Sequence, residues 1–151
     1  ARAEAQWRWV AATLAASTSE YLVVSGHYPV WSVCEHGPTE ALVRRLRPLL
    51  EAHGASLYLS GHDHCAEHID EGGGVQYHVV GAGVEYNPST RHRGAVPPGA
   101  LRWHHNSSIL GYLTGAFAHV SIGSGGLVVS HYSSGGDKLY EAPPIPPRSG
   151  R

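Results

Sequence analysis

Alternating helical and strand-like patterns in the first part of the chain constrain its fold more than any other feature. Apolar side chains recur at helical spacing over residues 4–16, which predicts an amphipathic helix. The apolar run 21–24 predicts a buried strand, a second helix is expected between Thr39 and His53, and the run 55–59 predicts another strand. This order favours a βαβ unit with two parallel strands.

The expected second helix has one apolar face and one arginine-rich face. The apolar face consists of Leu42, Val43, Leu46, Leu49 and Leu50. Pro48 lies inside this pattern and is expected to kink the helix or end its regular hydrogen bonding. Gly54, directly after His53, is expected to close the helix.

The second half of the chain is β-prone and rich in turns. Residues 75–80, 116–122 and 127–132 predict strands, and the last two are expected to form a hairpin. Residues 82–113 show little periodicity and are interpreted as a long loop region, and residues 143–151 as an extended proline-rich tail.

Composition excludes several classes of protein. Charged residues make up 15% of the 151 residues, against about 25% in a typical soluble domain, and the net charge is -1. A nucleic-acid-binding protein would show a strong basic excess. No apolar run approaches the roughly 18 residues of a membrane-spanning helix.

The chain contains no methionine, which predicts that it begins inside a longer protein.

Two cysteines, Cys34 and Cys65, are too few for a disulfide-based scaffold. One bridge between them and two free thiols are both compatible with the sequence.

Histidines follow both predicted strands of the βαβ unit. His27 comes after Gly26, and His62, Asp63 and His64 come after Gly61. The carboxyl ends of parallel strands meet at one edge of a sheet, so these side chains are expected to lie close together. Neutral imidazole is a common ligand for zinc and iron, so the pattern predicts a metal site.

The alternative that these histidines are ordinary polar surface residues stays open, because one His-x-His motif is expected by chance in a chain with 12 histidines. Carboxylates are also scarce, since Asp63 is expected to point away from the metal or to support a ligand. A dinuclear site for phosphate chemistry needs more oxygen ligands than this chain supplies.

Three segments together resemble the tartrate-resistant (type 5) purple acid phosphatases, which are calcineurin-like metallophosphoesterases. These segments are 25–32, 35–39 and 61–64. The similarity continues through Gly81-Ala82-Gly83, Asn87-Pro88-Ser89, Val96-Pro97, Gly99 to Arg102, and Gly115 to Val120.

The resemblance implies a fold and a set of ligands. The family fold is an α/β structure, a four-layer α/β/β/α sandwich with a dinuclear metal centre at the strand ends. It implies that residues 1–142 are the C-terminal part of such a domain, followed by the tail. It further implies that His27 and His62 bind a divalent metal (Fe, Zn or Mn) and that His64 binds Fe(III).

The resemblance also implies a substrate site and a reaction. His36, with Glu35 beside it, lies where the family contacts substrate phosphate, and His36 is expected to protonate the leaving group. The expected reaction is hydrolysis of phosphate monoesters in a secreted or lysosomal setting. Phosphodiester or nucleotide substrates, and an inactive binding or structural module, are the alternatives.

The chain departs from the family pattern in several ways. The family's N-terminal Gly-Asp, Gly-Asp-x-x-Tyr and Gly-Asn-His motifs do not occur, so a missing N-terminal half is expected to supply the remaining ligands. Ser60 stands where the family often has cysteine, and Cys65 follows the histidine motif instead, so no disulfide is carried over from the family. Asn106 begins a glycosylation sequon that matters only if the parent protein is secreted.

Overall fold

A computed structural model describes residues 2–106, 108–109, 112–113 and 115–148 of the chain. Asn106 is exposed, but Ser107 of its sequon lies outside the described residues. No helix in the described part of the chain is long and apolar enough to cross a membrane.

The first four elements are a helix followed by the expected parallel βαβ unit. They are α1 (Arg2–Ala16), β1 (Val23–Gly26), α2 (Glu40–Ala52) and β2 (Leu57–Ser60). β1 and β2 are parallel and pair from Val23↔Leu57 to Gly26↔Ser60. The predicted helix–strand–helix–strand order is therefore confirmed.

Three further strands complete a five-stranded sheet. They are β3 (Ala66–Ile69), β4 (Gln76–Val80) and β5 (Leu101–His104), and the order across the sheet is β1-β2-β4-β3-β5. β4 is parallel to β2, whereas β3 runs antiparallel to both of its neighbours. β4 was predicted, but β3 was not, because its Glu67 and His68 interrupt the apolar pattern.

The interpretation of residues 82–113 as a long loop is wrong. This region contains a short 3₁₀ helix (Arg93–Ala95), β5, and the two-residue strands β6 (Ser108–Ile109) and β7 (Tyr112–Leu113). β5 contains Arg102 and His104 and has only partly buried apolar side chains, so its strand is set by pairing with β3 more than by its own sequence.

A second sheet contains β8 (Ala116–Gly123), β9 (Gly126–Ser133) and β10 (Lys138–Glu141) in the order β10-β9-β8. β8 and β9 form the predicted hairpin, with Gly123 opposite Gly126. β10 was not predicted, because its charged ends leave only two apolar residues, too few to indicate a strand.

β1 is not the buried strand that its apolar run predicted. It lies at the edge of the large sheet, and Val23 is 42% exposed. An edge strand has a neighbour on one side only, so its apolar side chains are covered less than those of a central strand.

The apolar face and the end of α2 match the sequence-based predictions, and Pro48 lies within the helix. Leu46 and Leu50 are buried on its apolar face, as expected. The helix continues through Pro48 to Ala52, so the proline does not end it. His53 is the C-cap and Gly54 has a φ of +60°, a left-handed conformation that glycine adopts without a Cβ clash.

The chain forms helix, sheet and sheet layers around two main clusters of apolar side chains. One cluster joins the two helices to the large sheet through residues such as Leu14, Leu50 and Tyr58. The other joins the two sheets through Leu57, Leu127 and Val129, together with Ala142 and Ile145.

The proline-rich segment packs along the body of the protein over its described residues. Ile145 exchanges backbone hydrogen bonds with Leu127. The guanidinium group of Arg148 donates hydrogen bonds to the backbone oxygens of Ser19 and His53.

Three buried histidines stack between the two sheets. The rings of His68 and His78 are parallel with centroids 4.2 Å apart, and His78 Nδ1 lies 2.9 Å from His131 Nε2. Burial lowers the pKa of all three, and that of His131 to about 4. One ring nitrogen of His78 and one of His131 are buried without a hydrogen-bond partner, so protonation of either ring is costly.

We expect these three histidines to lower the free energy of unfolding as the pH drops from 6.5 towards 4, whereas the buried Glu67, whose pKa is raised to about 8, acts in the opposite direction. The unfolded chain binds protons at these histidines near pH 6.5, whereas the folded chain resists them, so their protonation favours unfolding. His131 alone accounts for about 3 kcal/mol of this loss at pH 4. Measured by denaturant unfolding, His131→Gln should become progressively more stable relative to the parent as the pH falls over this range. The exposed His119→Gln control should keep the original slope.

Candidate metal and substrate site

His27 and His62 come together because β1 and β2 are parallel and in register. Each histidine lies just beyond the carboxyl end of its strand, and the backbone N–H of Gly61 donates to the His27 oxygen at 3.1 Å. His27 Nε2 lies 3.2 Å from His62 Nδ1.

A spacing of 3.2 Å matches two nitrogen ligands of one metal ion. Two imidazole nitrogens at about 2.1 Å from a common ion lie roughly 3.0–3.4 Å apart in tetrahedral or octahedral geometry. Partial desolvation, followed by the charges of His36 and His27, lowers the pKa of His62. The neutral ring, which is the form that binds metal, is therefore favoured.

His62 is held in an unusual backbone conformation. Its φ of +63° is the only positive φ of a non-glycine residue in the described part of the chain. Such a conformation costs on the order of 1–3 kcal/mol and is concentrated at functional sites.

Two more rings contact His62. The His36 ring centroid lies 4.7 Å from that of His62, and the Tyr28 centroid lies 4.3 Å from it. The candidate substrate residue and the candidate metal ligands thus meet at one place. Tyr28, which is 50% exposed, was not selected from the sequence, although it directly follows His27.

His64 lies at the exposed rim, with its Nδ1 3.3 Å from Glu85 Oε2. The charge of His64 is the smallest of the causes that lower the pKa of His62. Glu85 was missed by sequence reasoning, because no motif marks a lone glutamate in an irregular segment.

Glu35 is exposed and accepts a hydrogen bond from the side-chain amide of Asn87. The backbone N–H of Asn87 also donates to the His64 oxygen at 2.7 Å. Asn87 therefore connects the segment of Glu35 and His36 to the segment of His62 and His64.

Asp63 points away from the histidine rings into the protein, in agreement with the sequence-based expectation. Its fully buried carboxylate accepts hydrogen bonds from Ser32 Oγ at 2.5 Å, His36 N–H at 2.8 Å and Gly37 N–H at 3.2 Å. These bonds fix the backbone of His36 relative to the loop that carries His62.

A disulfide joins the same two segments. Cys34, which precedes Glu35, is bonded to Cys65, which follows His64, with the Cα atoms 6.6 Å apart. The alternative that the sequence left open is therefore settled in favour of a bridge. Glu67 is fully buried nearby, and burial raises its pKa to about 8.

Removing the charge of Asp63 should loosen the His36 loop. In Asp63→Asn, an amide group replaces one of the two carboxylate oxygens that accept these hydrogen bonds, and the charge is lost. We expect a loss of about 2 kcal/mol in unfolding free energy and faster hydrogen exchange at the His36 and Gly37 amides. The exposed Asp137→Asn control should change neither. Unchanged exchange in Asp63→Asn would contradict this positioning role.

Gly81 provides a second local test. A Cβ at this position would collide with the backbone oxygen of Asp63, whereas a Cβ at Gly83 would meet nothing within 4 Å. We expect Gly81→Ala to lower the melting temperature and to reduce the free energy of unfolding by about 1–3 kcal/mol, because the backbone at Asp63 must shift. Gly83→Ala should melt like the parent, and equal effects of the two variants would count against this close packing.

The comparisons with known proteins agree with the motifs. Residues 2–66 match the sequence profile of the family described as calcineurin-like phosphoesterase. The chain is 42% identical over 139 residues to tartrate-resistant acid phosphatase type 5 of both Rattus norvegicus and Homo sapiens. It is 32% identical over 113 residues to purple acid phosphatase 17 of Arabidopsis thaliana, covering 71% of this chain and 31% of the relative.

The alignment to the animal proteins covers 92% of this chain and 42% of their length, so the chain spans less than half of these relatives. Among solved structures, it resembles GAP50, the anchor in the inner membrane complex of Plasmodium, with a TM-score of 0.79 and 20% identity. That match covers 98% of this chain and 44% of the other, and at this identity it supports the fold alone.

Proposed function

We propose that this chain, whose residues 2–66 match the calcineurin-like phosphoesterase family, carries metal and substrate residues of an acid phosphatase that hydrolyses phosphate monoesters. The observation that carries the proposal is the convergence of His27, His62 and His36 at one edge of the sheet. The two candidate ligand nitrogens are 3.2 Å apart, and the His36 ring lies against the His62 ring.

His27 and His62 would hold a divalent ion (Fe, Zn or Mn) through Nε2 and Nδ1. His64, on the rim beside Glu85, would hold Fe(III). When bound, such a metal pair neutralises phosphoryl oxygens and supplies a nucleophile derived from water.

His36 would act on the substrate. A protonated imidazole can bind a phosphate oxygen and donate a proton to the leaving group. Asp63 supports this role by accepting a hydrogen bond from the backbone N–H of His36, which fixes the backbone position from which the imidazole side chain extends. Glu35, oriented by Asn87, would stand beside the same leaving group.

The remaining oxygen ligands would come from a complementary N-terminal segment of the same domain. In support, β1 is an edge strand, and an apolar groove of about 520 Å³ beside it is lined by residues that include Trp9, Val23 and Tyr28. Trp9 is 65% exposed. The Cys34–Cys65 disulfide fits folding in the oxidising ER lumen, through which secreted and lysosomal proteins pass.

The direct test joins this chain to an N-terminal segment that carries the family's Asp and Asn motifs. The complemented protein should hydrolyse p-nitrophenyl phosphate at acid pH. His36→Asn should lower kcat about 100-fold or more without changing metal content, because it removes the proton donor and the positive charge but none of the candidate metal ligands. His119→Asn, on the exposed face of β8, is the matched control. Complemented protein that is metal-loaded but inactive would favour a non-catalytic module and overturn the proposal.

Metal content tests the ligand roles separately. His62→Ala in the complemented protein should lose most of its divalent metal, measured by elemental analysis, because one of two paired nitrogens is removed. His53→Ala, at the C-cap of α2, should retain it. Unchanged metal in His62→Ala would remove His62 from the ligand set.

A further inference from the structure

A second group of metal-ligating side chains lies beneath the two loops. Its members are Cys34, Cys65, Glu67 and His104, and one ligand atom from each lies within 4.8 Å of all the others. It is the one such group found in the described part of the chain. Both sulfurs are now joined in the disulfide.

We infer that reduction of the Cys34–Cys65 disulfide converts this group into a binding site for one zinc ion, with two sulfur ligands, one nitrogen and one oxygen. This site is separate from the strand-end histidines and does not depend on the proposed function. Two thiolates, an imidazole and a carboxylate are ligand types that zinc binds in tetrahedral sites.

The distances suit a tetrahedral ion. Cys34 Sγ lies 3.6 Å from His104 Nε2. Zinc bonds of about 2.3 Å to sulfur and about 2.1 Å to nitrogen place those two atoms about 3.6 Å apart. Two sulfur ligands of one zinc ion lie about 3.8 Å apart, so the reduced cysteines need to separate by side-chain rotation.

The surroundings resemble a closed site with one entrance. Cys34, Cys65 and Glu67 are each at most 1% exposed, whereas His104 is partly exposed and gives access from solvent. The Glu67 oxygens accept the Val33 N–H at 3.2 and 3.3 Å, which orients the carboxyl group. A ligand held by a backbone donor keeps its position when a metal arrives.

The redox step balances with a phosphine as the reductant. The disulfide gains two electrons and two protons and becomes two thiols, while the phosphine becomes a phosphine oxide with oxygen taken from water. A dithiol reductant would deliver the same electrons and protons and become a disulfide. Zinc then replaces the thiol protons, because the thiolate is the form that binds metal.

Zinc bound by these four residues would connect the two loops of the candidate metal and substrate site. Cys34 adjoins Glu35, and Cys65 adjoins His64, so the disulfide ties together the loops of the candidate site. Zinc would restore that connection after reduction.

The test uses the full chain with His27, His62 and His64 changed to alanine, so that the strand-end histidines do not bind the probe. After phosphine reduction and its removal, Co²⁺ titrated without oxygen should give one ion per chain and a thiolate-to-cobalt charge-transfer band. Zn²⁺ should displace it and raise the melting temperature of the reduced chain but not of the oxidised chain.

Variants then identify the ligands. Cys34→Ser with Cys65→Ser should abolish the charge-transfer band, and Glu67→Gln or His104→Ala should weaken binding about tenfold or more. His119→Ala should bind like the parent. A reduced chain that stays folded by circular dichroism but gives no such band would overturn the inference. So would a reduced chain that unfolds and is not restored by zinc.

Discussion

The in-register parallel pairing of β1 with β2 is the constraint on which the site depends. It places the ends of both strands side by side, so that His27 Nε2 lies 3.2 Å from His62 Nδ1. A register shift of one residue would turn every side chain of the shifted strand to the opposite face of the sheet and separate the pair. The left-handed backbone of His62 is the local cost of aiming its ring at His27.

Three further connections hold the other loop against this pair. The buried Asp63 carboxylate accepts the N–H of His36, Asn87 bridges Glu35 and the His64 backbone, and the Cys34–Cys65 disulfide joins the ends of both loops. Because hydrogen bonds and a covalent bond act in parallel, the candidate substrate residues are positioned before any ligand binds. Such prior positioning reduces the entropy lost when reacting groups are brought together.

The sequence predicted the parts of the molecule that local pattern controls. The βαβ unit, the β8–β9 hairpin, the Gly54 helix end and the histidine convergence follow from periodicity, glycine and strand direction. It failed where tertiary pairing decides: β5 is set by β3, and β1 is exposed because it lies at an edge. The disulfide and the contact of Glu85 with His64 depend on distances between loops, which spacing along the chain does not encode.

Most of the proposed chemistry depends on His27 and His62 binding one metal ion together. Anomalous diffraction from crystals of the complemented protein grown with zinc tests it most directly. We expect a zinc peak about 2.1 Å from both His27 Nε2 and His62 Nδ1. Zinc bound without either of these atoms, or a direct hydrogen bond between the two rings with zinc elsewhere, would contradict it.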